Sequence, residues 1–175
     1  MATQCVCGRC ARAGKTCCQE TDIFLTVNDI KRIAGYVSRL DFYEYRRPTD
    51  PSYLAQEDDP VWGEKTICCD GTRRVLKQKN SLDCTFLTEH GCELSMAVRP
   101  LVCRLHPYTY DVKGLAVILD PRCLLARQGS GEDLIQAMGM TSSLARDWHR
   151  QLYDEISIHE EIEDNEDRHN LRPEV

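Results

Sequence analysis

The sequence has no apolar run approaching the ~18–20 residues that a membrane-spanning helix needs, so no membrane partner is expected. It has no surplus of positive charge either. Its 22 Lys and Arg stand against 28 Asp and Glu, a net charge of −6, so a nucleic-acid partner is not expected. The opening residues, MATQCVCGRC, hold neither an apolar core nor a small-residue cleavage site. A secretory signal is therefore not expected, and a cytoplasmic location is. Several catalytic signatures are missing too: a nucleophile elbow, a Ser-His-Asp motif and a G-x-G-x-x-G turn. Gly129-Ser130-Gly131 reads as a capping loop before a helix. His149 and His159 stand ten residues apart rather than the four that would share a helix face. Asp58-Asp59 and the acidic tail lack calcium-loop spacing.

Cysteine is what the chain has in abundance: eleven in 175 residues. The number is odd, and a chain of this length can build a hydrophobic core without covalent staples. In a reducing compartment, clustered cysteines point to metal ligation or redox chemistry rather than to structural bridges.

The length and the 42% hydrophobic content predict one α+β domain over residues 1–159, with an acidic, disordered tail at 160–175. Gly8 and Gly14 make the cysteine-rich lead-in a turn-rich loop. Thr26 to about Leu40 reads as a helix, capped by Thr26, with Asp29 in the first turn and Ile30, Ile33, Ala34 and Val37 on one face. Prolines and acids make 46–60 a loop. Lys65–Lys79 reads as a hairpin about Asp70-Gly71, and Tyr108–Leu119 as a second about Lys113-Gly114. A short helix is expected over Glu132–Met138. A longer one, capped by Thr141 or Ser142, carries Leu144, Trp148, Leu152 and Ile156.

The cysteines fall in two regions. The middle one is Cys84-x7-Cys92-x10-Cys103, with Gly91, Pro100 and Pro107 stiffening the chain beside them. Thiolates that are to bind one ion must be held in place before it arrives. Three cysteines leave a tetrahedral sulfur site one ligand short, and the nearest donors are in the lead-in. The first expected site is therefore Cys18, Cys84, Cys92 and Cys103. Cys17 and Cys18 are neighbours, and neighbouring side chains in extended chain point to opposite sides. This suggests a second site drawing on Cys7, Cys10, Cys17 and Cys123, the last equally readable as a buried small hydrophobe. Cys7-x2-Cys10 has the gap found in zinc and iron–sulfur ligand runs. Cys5, Cys68 and Cys69 read as bystanders. Thiolates around a metal carry excess negative charge. Arg99 and Arg104 could offset it, or could instead pair with acids such as Asp83 or Glu93.

These segments, CVCGRCARAGKTCC, CTFLTEHGCEL and RPLVCRLHPY, resemble the YkgJ-type cysteine-cluster family over about residues 5 to 125. The resemblance implies a zinc- or iron-chelating domain, an iron–sulfur cluster included, with no defined reaction. Two positions depart from the family pattern. Its lead-in is commonly a compact CxxCxxCC, whereas six residues separate Cys10 from Cys17 here. The position before the last proline is commonly aromatic, and here it is His106, read as a packing histidine. A flagellin lysine methylase carries a similar cluster. Rival readings are therefore a redox or protein-modifying enzyme that uses the cluster, and a protein that delivers iron or zinc to a partner.

Overall fold

The computed structural model describes residues 6–12, 16–50, 53, 59–126 and 131–158. Helix α1 (Val6–Arg12) is followed by α2 (Val27–Val37), strand β1 (Tyr43–Arg46) and α3 (Pro60–Thr66). Strands β2 (Arg73–Leu76), β3 (Leu87–Thr88) and β4 (Gly91–Cys92) precede α4 (Leu101–Leu105). Strands β5 (Tyr108–Asp111) and β6 (Gly114–Leu119) lead into α5 (Gly131–Ala137) and α6 (Ser142–Ile158). The class is α+β, with three two-stranded antiparallel sheets, β1-β2, β3-β4 and β5-β6, among the described residues. No helix among these residues is long and apolar enough to cross a membrane. Residues 160–175 lie outside the described residues.

Helix α2 begins where the sequence indicates. The Thr26 hydroxyl accepts from the Asp29 N–H at 2.9 Å, and the Asp29 carboxylate accepts from the Thr26 N–H at 3.1 Å, a closed capping box. The helix stops short of Leu40 because Ser38 turns left-handed, at φ 56°, and donates its N–H to Ala34. Ile30 and Ile33 are buried, and Ala34 and Val37 pack beside them.

The expected hairpin over Lys65–Lys79 does not form. Asp59 caps the Trp62 N–H and Pro60 occupies the first helical turn, so the residues ahead of the turn become α3. The Asp70-Gly71 turn is real, with Gly71 at φ +80° donating to Cys68. The strand after it pairs instead with β1, Tyr43 opposite Leu76 and Arg46 opposite Arg73. The second hairpin is present as β5-β6. A third, β3-β4, joins Leu87 to Cys92 through a tight turn with Gly91 at φ +106°.

Two clusters of buried side chains form the core. One holds Ile23, Leu25, Ile33, Phe42, Phe86 and Leu94 beneath α2 and β1. The other packs α6 through Trp148, Leu152 and Ile156 against Leu101 and Leu105 of α4 and against Trp62. Leu144, expected on that face, is instead exposed at the first turn. Residues 23–25 join the clusters. Leu25 donates its N–H to Arg74 and Leu76 donates to Ile23, so this stretch is extended and its side chains alternate sides. Ile23 and Leu25 enter the first cluster and Phe24 the second. Burying each such side chain stabilises by ~1.5–3 kcal/mol.

Candidate metal centre

Four segments converge on the ground between the two clusters. The Cys84 N–H donates to the Cys18 carbonyl at 2.9 Å, and Glu20 donates to Leu82 at 3.0 Å. The end of the lead-in thus runs antiparallel to the chain entering the middle cysteine segment, with Gln19 bridged to Asp83. From Cys84 the chain turns, Leu87 donating to the Cys84 carbonyl at 2.9 Å, and passes through β3-β4 to Cys92. Cys103 sits in α4.

The placement of α4 depends on buried polar groups. The Asp29 carboxylate accepts from the Leu101 N–H at 3.1 Å, at the start of that helix. Thr26 donates its hydroxyl to Glu155 of α6, and Arg32 pairs with both Asp29 and Glu155. Arg104 donates through Nε to the Arg99 carbonyl at 2.8 Å and also reaches the Ala97 carbonyl. Arg99 donates through Nε to the Leu94 carbonyl at 3.0 Å. These two buried arginines brace the 94–99 loop leading into α4, a role that the sequence does not signal.

The result is a cavity of about 290 Å³. Cys17, Cys18, Cys84, Cys92 and Cys103 line it, with His106. Burial, and then like charge from Cys84, Cys92 and Cys17, push the Cys103 thiol well up. Burial pushes Cys84 up to about 11. A hydrogen bond with Cys18 raises Cys17, which is exposed at the surface, while His106 beside it acts in the opposite sense. These are shifts opposite to those of a nucleophilic cysteine, which needs a lowered pKa. The mutual influence records how near the thiols stand to one another. The donors are not drawn into coordination: among the described residues, no group of three or more His, Cys, Asp or Glu side chains is arranged to hold a metal ion.

The other cysteines lie elsewhere. Cys123 is buried with Val6 and Leu134 in a small apolar cluster, and Cys10 is on α1; neither lines the cavity. Cys7 is in α1, but its side chain is outside the described residues, as is all of Cys5. Cys68 and Cys69 sit in the turn after α3, away from the cavity. Helix α1 nevertheless lies close to the site. A Cβ on Gly8 would stand 2.6 Å from the His90 carbonyl oxygen, so only glycine lets α1 settle on the β3-β4 turn.

No family model, curated protein or solved structure matches the chain. The site must therefore be understood from its own chemistry. Away from the thiols the cavity continues past Tyr53, Trp62, Tyr110 and Tyr153. Arg73 is buried there, its guanidinium 4.1 Å from the centre of the Tyr53 ring and paired with Asp22 at 3.2 Å. Tyr153 donates its hydroxyl to buried Asp59. The sequence does not signal this aromatic wall, because its four members come from four separate segments and no spacing links them.

Proposed function

We propose that this chain is a metal-binding protein of a reducing, cytoplasmic compartment, and that Cys18, Cys84, Cys92 and Cys103 hold zinc or iron, the iron as a single ion or as an iron–sulfur cluster. The observation that carries this reading is the gathering of those four thiols, from segments distant in sequence, into one cavity. The donor set suits the group. Thiolates select zinc and iron–sulfur chemistry over hard cations. A buried nitrogen of His106, Nε2, has no hydrogen-bond partner. The resemblance of the cysteine segments to the YkgJ-type family supports the same reading, and such proteins are described as zinc- or iron-chelating.

Cys18 and Cys84 would supply sulfurs from two segments that a backbone hydrogen bond joins. Cys92 would contribute from the small hairpin, and Cys103 from α4. Arg99 and Arg104 act on the scaffold and keep the α4 approach rigid. A bound ion or cluster would cross-link these segments and, if it were an iron–sulfur cluster, would also accept or release an electron.

A second reading has its own support. The cavity extends past the thiols to Arg73 and the tyrosines. A metal centre that opens on such space suits a redox or protein-modifying enzyme better than a purely structural site, which is closed. Purification under anaerobic conditions, followed by metal analysis and a visible spectrum, tests the proposal. Zinc or iron at one or more per chain is expected, and sulfur-to-iron charge-transfer bands would mark a cluster. A metal-free preparation that stays fully folded overturns it.

A further inference from the structure

We infer that His106 is a nitrogen ligand of the proposed metal centre, binding through Nε2, with Asp120 as the residue that orients its ring. The inference rests on the metal-binding reading above and assigns a residue of different chemistry to that site.

His106 follows directly on α4, three residues after Cys103, and lines the same cavity as the five thiols. Its Nδ1 lies 3.8 Å from a carboxylate oxygen of Asp120. Its Nε2 is buried and meets no partner at ordinary hydrogen-bond geometry, while the Cys17 thiol stands close enough to act on the ring. A buried imidazole nitrogen left without a partner costs ~1–3 kcal/mol, so it calls for a reason. Histidines that ligate metals usually present one nitrogen to the metal and the other to a carboxylate. Asp120 stands beside the other nitrogen of His106, at a separation longer than a direct hydrogen bond. Asp120 is itself held. It accepts from the Arg122 guanidinium at 2.8 Å and from the Arg122 N–H at 2.8 Å, and it donates its own N–H to the Pro107 carbonyl at 2.7 Å. The other two histidines among the described residues are engaged elsewhere or face solvent. His149 Nε2 is 2.7 Å from the Asp111 carbonyl, and His90 is exposed on the β3-β4 turn. Four thiolates already fill one tetrahedral ion, so His106 would ligate in place of one of them, or at a second ion or a cluster.

The test is X-ray absorption at the zinc edge on zinc-loaded full-length protein, for the wild type and for His106→Phe and His106→Cys. The wild type is expected to show imidazole scattering together with a sulfur shell. His106→Phe is expected to lose the imidazole scattering and keep the sulfur. His106→Cys is expected to keep zinc with a sulfur-only shell, which separates loss of a ligand from loss of the fold. A sulfur-only wild-type spectrum overturns the inference and leaves the metal-binding reading standing. Imidazole scattering that persists in His106→Phe does the same. A wild-type protein that takes up no zinc or iron overturns both.

Discussion

The carboxylate of Asp29, in the first turn of α2, accepts a hydrogen bond from the backbone N–H of Leu101 at 3.1 Å. The cap of one helix thereby sets the position of another, the one that carries Cys103. Asp29 also serves Thr26 and Arg32, and burial holds its carboxyl above the ordinary range. Replacing it by alanine leaves buried donors unpaired. Asp29→Ala is expected to cost ~3 kcal/mol. In a chain of this size that is a fall in melting temperature of about 6–12 °C. Asp29→Asn, which keeps one acceptor, should recover part of it. Thermal melts of the three proteins check this, and an unchanged melt for Asp29→Ala would remove the link between α2 and α4.

Asp22 gives a pH-dependent prediction. Burial pushes its carboxyl up, but hydrogen bonds from Thr49 and the charges of Arg46 and Arg73 outweigh this and hold it below its ordinary 3.8. A carboxylate whose pKa is depressed by folding contributes stability above its unfolded value and loses it as pH falls through the folded one. Asp22→Asn should therefore be less stable than wild type near neutrality, with the gap closing once the pH drops below about 4. Urea unfolding from pH 6 to pH 2.5 measures the gap. A constant difference across that range would contradict the assignment.

Substitution of the cysteines separates ligands from bystanders. Serine is a poor partner for soft metals. Cys18→Ser, Cys84→Ser, Cys92→Ser and Cys103→Ser should each weaken metal binding by more than the ~10–100-fold that loss of an outer partner costs. Cys68→Ser and Cys69→Ser should hold metal at the wild-type level. If Cys92→Ser and Cys103→Ser keep full metal while Cys68→Ser or Cys69→Ser loses it, the site belongs in the turn after α3. Loss of only part of the metal on changing Cys7, or on changing Cys10 or Cys123, which do not line the cavity, would reveal a second site.

Chelation should act on the fold as well as on the site. An ion bound at about a thousand times its Kd adds roughly 4 kcal/mol to stability. Stripping it is expected to lower the melting temperature by about 10 °C. Differential scanning calorimetry before and after a strong chelator gives the answer, and a melt that does not move would make the site peripheral.

Gly8→Ala probes the seat of α1. The added methyl meets backbone at 2.6 Å, which has little freedom to yield. The expected cost is ~1–3 kcal/mol, together with faster proteolysis at the N-terminal end. Limited digestion with the same cleavage rate as wild type would show that α1 does not depend on that approach.

Much of the local structure is legible in the sequence, because it is set by local chemistry. Thr26 and Asp29 announce a helix start, Lys113-Gly114 a hairpin, and Thr141 or Ser142 the cap of α6, a role that falls to Thr141, whose hydroxyl accepts from the Leu144 N–H at 3.1 Å. The Asp70-Gly71 turn was equally readable, but its consequence was not. Which strand accepts Arg73–Leu76 is decided by α3 ahead of it and by β1 beyond, and neither is a property of the turn. Cys18, Cys84, Cys92 and Cys103 do line one cavity, but Cys17, expected to face another site, lines it with them. Asp120 beside His106 was accessible by a further step, since a hairpin over Tyr108–Leu119 brings its two flanks together. The arginine braces and the aromatic wall were not, because each depends on contacts between distant segments.

The hydrogen bond from Cys84 to Cys18 has a consequence for the order in which the protein assembles. It closes a loop running from residue 18 to residue 84, and such a closure costs about 4 kcal/mol of chain entropy before any contact repays it. Local elements such as α2 and the β5-β6 hairpin carry no such toll and can form early. The lead-in therefore cannot reach its place until the chain as far as residue 84 has been made. During synthesis Cys18 emerges well ahead of the segment that will partly cover it, so its thiol is most open to oxidation in the interval before the loop closes.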